Sequence, residues 1–140
     1  MLADRNAIQE DAMKKIMAMV VVFAILAGGV TSVYAEYDKA AVSAAMKSNF
    51  GHLGNLKKAL DANDLWTAAK YFNAFADSML IVHKQDAPKG DTAVWKATLA
   101  EFINTAYKGV GACGEQDLEK AKAQLTELLA LQKKGHGTFR

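Results

Sequence analysis

The chain has 140 residues, 51% of them hydrophobic and 23% charged, with a formal net charge of +2, enough for one compact domain and too few for two. Lys and Arg are dispersed among Asp and Glu without the clustered basic stripe that a phosphate backbone requires, which excludes nucleic acid as a partner class. A single cysteine, Cys113, excludes an internal disulfide and any cysteine-held zinc or iron–sulfur centre.

Residues 1–35 read as an N-terminal extension and signal peptide. Lys14 and Lys15 precede an apolar run from Ile16 to Ala27, and small residues follow at Val33 and Ala35. This is the charged, apolar and small-residue order of a secretory signal, and the run is short for a bilayer span. Cleavage after Ala35 is expected, with the natural start at Met13. That leaves residues 36–140 as the mature domain in the periplasm, with no membrane attachment after cleavage. An uncleaved anchor is the alternative.

Beyond Ala35 there is a single proline, Pro88, and apolar residues recur every three or four positions, the period of amphipathic helices. Helix one carries Val42, Met46, Phe50, Leu53, Leu56 and Leu60 as its apolar stripe and ends at "DAND", where Asp64 can cap helix two. Helix two presents Leu65, Ala68, Phe72, Phe75, Met79 and Val82, and stops near "QDAPKGD". Asp91 or Thr92 caps helix three, whose inward residues are Trp95, Leu99, Phe102, Ala106 and Gly109. "GACGEQ" breaks the chain again. Helix four starts near Glu115 and turns Leu118, Leu125, Leu128, Leu129 and Gln132 inward. His136, seven residues after Leu129, falls on the same buried face. Four such helices with short connections predict an all-α fold, an antiparallel up-down-up-down four-helix bundle.

Nothing in the pattern points to an enzyme. Cys113 has no nucleophile–base motif around it and reads as a small residue filling a helix end. No Glu-x-x-His pair and no glycine-rich phosphate loop is present. His52 projects off the apolar stripe and His83 lies at the end of helix two, so both read as solvated side chains. His136 differs by its face, although a lone inward histidine is more often a hydrogen-bonded core residue than a ligand. Met46 raises the same choice between packing and ligation. Four of the six methionines precede the expected cleavage site, which disfavours a methionine-rich copper carrier.

The stretches "AAMKSNFGHLGNLKKAL" and "APKGDTAVWKATLAEF" and the ending "HGTFR" resemble the cytochrome c-prime family of periplasmic four-helix haem proteins, over nearly all of the mature domain. In that family the last helix carries C-x-x-C-H-x-x-F-R, with two thioether links to haem and the histidine as proximal iron ligand. His136, Phe139 and Arg140 match; Gln132 and Gly135 stand where the cysteines would be, so covalent attachment by this motif is impossible. The chain is also similar to soluble periplasmic b-type cytochromes of the same architecture, which hold haem through a histidine four residues from the C-terminus and an early methionine.

The resemblance implies haem b, bound without covalent links, with His136 and Met46 as metal ligands. It further implies a pocket lined by Phe50, Leu53, Leu129 and Phe139, together with Gln132 and Gly135. Lys133, Lys134 and Arg140 would meet the propionates, and the small residues Gly135 and Gly137 would let the ring approach the backbone. The family's usual basic residue four before the distal position is Val42 here. Electron transfer with redox partner proteins is the implied function, or small-gas binding if the distal face is open. A homodimer through helices one and two, with Trp66 and Tyr71 as anchors, is a further implication. The alternative is a haem-free binding or structural module descended from a cytochrome.

Overall fold

The computed structural model describes residues 37–139. The expected signal segment and Arg140 lie outside the described residues. Four helices make up the fold: α1 Lys39–Asp61, α2 Leu65–His83, α3 Thr92–Gly114 and α4 Leu118–Phe139. Successive helices pack against each other as an antiparallel bundle, α1 on α2, α2 on α3 and α3 on α4, whereas α4 returns to α1 through a sparse contact.

Every helix begins at an aspartate. Asp38, Asp64, Asp91 and Asp117 each accept a hydrogen bond from the backbone N–H three residues on, at 3.0 Å, satisfying one of the donors that a helix start leaves open. The hydrogen bonds from the Thr67 side chain and backbone hold the Asp64 carboxyl below its ordinary value. Of the two expected caps, Asp64 holds its place, and Asp91 rather than Thr92 serves α3. The start of helix four moves from Glu115 to Leu118, because the intervening turn is a capping motif in its own right.

That turn and the one after α1 are built alike. Asn63 and Gln116 take the left-handed conformation, with φ of 55° and 58°. Asp64 N–H then donates to Ala59 O and Asp117 N–H to Ala112 O. These six-to-one bonds are the Schellman pattern, which closes the last carbonyls of a helix and reverses the chain in three residues. Such short reversals force antiparallel neighbours. The longer α2–α3 connection is held by Ala87 N–H donating to Thr92 Oγ1 at 3.3 Å, and Asp38 N–H reaches back to Gln85 Oε1 at 2.9 Å.

The core is the one that the apolar spacing of α2 and α3 describes: Phe72, Phe75, Met79 and Val82 from α2 meet Trp95, Leu99, Phe102 and Ala106 from α3, all buried. At Gly109 the two helices come so close that a Cβ would collide with the Phe72 ring. Here glycine is required by packing. Cys113 is buried at the end of α3, as a small residue filling that end, and burial pushes its thiol pKa up.

The outer helices depart from the expected stripes. Phe50 is 77% exposed and Leu129 is 46% exposed. At about 100° per residue, Met46 lies about 40° and Phe50 about 80° from the line through Val42 and Leu60. Likewise His136 lies about 60° and Leu129 about 80° from the line through Ala121 and Phe139. On the opposite flanks, Ala59 of α1 and Leu131 of α4 are buried, because those flanks are the ones packed on α2 and α3. Met46, Phe50, Leu129 and His136 therefore lean toward the sparse α1–α4 seam, where a wide apolar stripe finds no tight partner. His136 is accordingly exposed rather than part of the buried face. His52 and His83 are half-buried rather than solvated, and the His52 ring tilts against Tyr71 with centroids 6.3 Å apart. Trp66 is exposed at 72%.

Candidate functional site

The splayed seam opens into a cavity of about 550 Å³ at the end of the bundle where α1 begins and α4 ends. That volume lies within the ordinary range for small-molecule and cofactor sites. Four helices contribute to it. Met46, Asn49, Phe50 and Leu53 come from α1; Phe75 and Met79 from α2; Trp95, Leu99 and Phe102 from α3; and Gln132, Gly135, His136 and Phe139 from α4. The sequence reading of α1 and α4 thus converges here. Two residues expected at the pocket do not reach it: Leu129 lies a turn or more from the opening and is exposed, and Lys133 points to solvent. Leu129 leans toward the seam but precedes Gln132 by about a turn, toward the middle of the bundle, whereas Lys133 lies about 60° further around α4 than His136. Gly137 does not line the cavity either, whereas Gly135 does.

The walls are mostly aromatic and aliphatic, which is what excludes water and favours a flat apolar ligand. Gly135 faces Phe102 of α3, and a Cβ there would stand 3.8 Å from that ring. This is ordinary contact, so the missing side chain is not forced by helix packing. Its effect is to leave room in the cavity. Trp95 meets Phe139 edge-on across the end of the site, and Phe75 meets Phe102 at 6.1 Å deeper in.

Sequence reasoning missed two polar groups. Asn49 is 4% exposed and Trp95 is 6% exposed. Asn49 Nδ2 donates to Met79 Sδ at 2.9 Å, which leaves Asn49 Oδ1 without a partner, and Trp95 Nε1 is likewise unpartnered. Buried polar atoms nearly always find partners, so each such exception calls for an explanation such as a ligand or an ordered water. The signal for Asn49 was visible as a polar residue on the apolar line of α1, three residues after Met46. For Trp95, only the three-dimensional setting reveals that its N–H is orphaned.

The charge of the lining is one-sided. Lys47 and His136 border the cavity, and no Asp or Glu does. Among the described residues no group of three or more His, Cys, Asp or Glu could hold a bare metal ion. Among the same residues no helix is long and apolar enough to cross a membrane.

Comparison with family models, with curated proteins and with solved structures finds no match to the chain.

Proposed function

We propose that this protein binds haem b without covalent links, in the cavity between α1 and α4, and serves as an electron carrier. The observation that carries this reading is that His136 from α4 and Met46 from α1 border one largely apolar cavity of about 550 Å³. Imidazole and thioether would both be able to ligate haem iron, and here they are carried on different helices. Two further features fit the group: a glycine that leaves space beside the histidine, and a lining without carboxylates.

Haem held between a histidine and a methionine supplies a one-electron couple whose potential the thioether raises. The chain's own contributions are distinct. His136 is carried on the last turn of α4, anchored by Phe139 beneath it, so its imidazole has a rigid platform at the seam. Met46 is half-buried on α1, and its flexible, unbranched side chain would let the thioether reach a bound group. Leu53, Phe75, Leu99 and Phe102 form an apolar floor, which weakens dielectric screening around a charged centre. Phe50 stands exposed at the mouth and can close over an edge of the ligand.

The test is a haemin titration of the apoprotein followed by absorbance. One equivalent should give a sharp Soret band distinct from that of free haemin, and split visible bands on reduction. Bound ligand must also raise the melting temperature, by about 2.7 kcal/mol of added stability at a hundredfold excess over Kd. Colourless protein whose melting point ignores haemin would overturn the proposal and leave a haem-free bundle.

A further inference from the structure

Gly51 and Gly54 stand in the middle of α1, a helix of 23 residues. Both are exposed, and a Cβ at either would meet nothing within 4 Å. Gly109 is demanded by the Phe72 ring, whereas no neighbour in the folded chain demands these two. Apart from proline, glycine is the least favourable residue for a helix interior, because it gives up the most backbone freedom when the helix forms. Two glycines three residues apart therefore weaken one turn of α1, and such pairs are among the sites where helices bend.

The two sides of that turn are held unequally. After it, Leu56, Ala59 and Leu60 are buried and do not border the cavity, so this end of α1 sits on packed core. Before it, Val42, Met46, Asn49 and Phe50 all border the cavity. The inner face of residues 39–50 thus has few packed partners and forgoes part of the dispersion attraction of a filled core. Its polar ties are weak as well. Asn49 Nδ2 donates to the Met79 sulfur, a poor acceptor, and Asn49 Oδ1 has no partner at all. At the start of the segment, the bond from Asp38 N–H to Gln85 Oε1 is solvent-exposed. Sparse apolar burial and poorly paired polar groups are the properties of a segment that opens before the fold as a whole does.

We infer that residues 39–50 form a lid on the cavity, hinged at Gly51–Gly54, which swings away from α2 and α4 to admit a ligand while the rest of the bundle stays folded. Met46 and Phe50 ride on the lid. His136 and the apolar floor of Phe75, Leu99 and Phe102 stay with the body, so closure brings the two sides of the site together around a bound molecule. The hinge rests on the reading of the cavity as a binding site, and not on that ligand being haem.

Native-state hydrogen exchange of the ligand-free protein tests the hinge without any ligand. Amides of residues 43–50 should exchange at least about tenfold faster than those of 56–60 on the same helix. Uniform protection along α1 overturns the inference. Gly51→Ala combined with Gly54→Ala should slow exchange in 43–50 at least about tenfold, because opening then has to unwind two good helix formers. Gly111→Ala is the control, since Gly111 is equally open but lies in the last turn of α3. It should leave exchange in 43–50 unchanged; an equal slowing would mean general stabilisation and no hinge. Circular dichroism establishes that each variant folds.

Haemin and 8-anilinonaphthalene-1-sulfonate, both flat and largely apolar, are the probes for entry in stopped-flow mixing. Association and dissociation rates should fall together in the double variant with Kd nearly unchanged, because a stiffer lid slows passage in both directions without altering the closed site. An unchanged association rate beside slowed exchange would show that the segment moves without gating the cavity, and the lid falls. So it does if neither probe enters. If only the sulfonate binds and its rates fall as stated, the haem reading falls and the lid stands.

Discussion

Trp95 of α3 and Phe139 of α4 meet edge-on, ring centroids 5.0 Å apart and planes at 77°, and this contact ties the last turn of α4 to the bundle. His136 sits one turn before Phe139, so the aromatic pair governs where the histidine stands. Phe139→Leu keeps an apolar side chain but removes the pair, and should cost about 1 kcal/mol in urea denaturation. The same variant should weaken haemin binding more than Leu128→Val at a buried position away from the cavity. Equal effects of the two variants would show that the pair does not position the site.

Close approach of α2 and α3 at Gly109 leads to a second expectation. A methyl group there would strike the Phe72 ring, and that ring is fully buried and cannot swing aside. Gly109→Ala should therefore destabilise by about 1–3 kcal/mol despite alanine's better helix propensity. Thermal unfolding measures it. A rise in melting temperature would mean that the helices separate readily at this level.

Cys113 yields a pH dependence. Burial raises its pKa above the ordinary 9.0, because the apolar end of α3 disfavours the thiolate. The folded state then holds the proton more tightly than the unfolded chain, so stability falls as pH rises above about 9, where the unfolded thiol ionises. Cys113→Ala should remove that part of the alkaline slope. A thiol reagent should label the native protein slowly and the urea-unfolded protein at once; rapid native labelling would contradict the burial.

Asn49 is expected to trade stability for binding. Asn49→Leu removes an unsatisfied buried carbonyl and should stabilise the apoprotein by about 1–2 kcal/mol, seen as a higher midpoint in urea. Destabilisation instead would mean that the bond to Met79 outweighs the orphaned oxygen.

The two proposed iron ligands should behave differently. His136→Ala should lose haem or leave it in a free-haemin-like spectrum, while Met46→Ala should retain haem with a five-coordinate spectrum. Because Gln132 and Gly135 both border the cavity, Gln132→Cys with Gly135→Cys should allow thioether attachment in cells that make c-type cytochromes. Haem that remains extractable by acidic acetone would indicate that these positions cannot reach it.

Much of this was legible in the sequence. The three- and four-residue spacing of Phe72, Phe75, Met79, Trp95, Leu99 and Phe102 identifies the inner faces of α2 and α3, because each of these helices has a packed neighbour on both flanks and the whole stripe is covered. Asp64 and Asp91 are readable as caps, since a short acceptor before an apolar run answers a need local to the backbone. The four-helix architecture follows from those local signals and from the short reversals between helices.

What the sequence could not settle was the fate of the flanks of α1 and α4. Phe50, Leu129 and His136 have the spacing of buried residues, and spacing reports only the angle around a helix. Whether a given angle is covered depends on how closely the neighbouring helix approaches. The seam between α1 and α4 is wide, so the same periodicity that produces core in the middle helices produces a cavity wall and exposed apolar side chains in the outer ones. For the same reason the unpartnered atoms of Asn49 and Trp95 emerge only in three dimensions: a hydrogen bond is satisfied or orphaned by groups distant in the chain, and no local pattern encodes their absence.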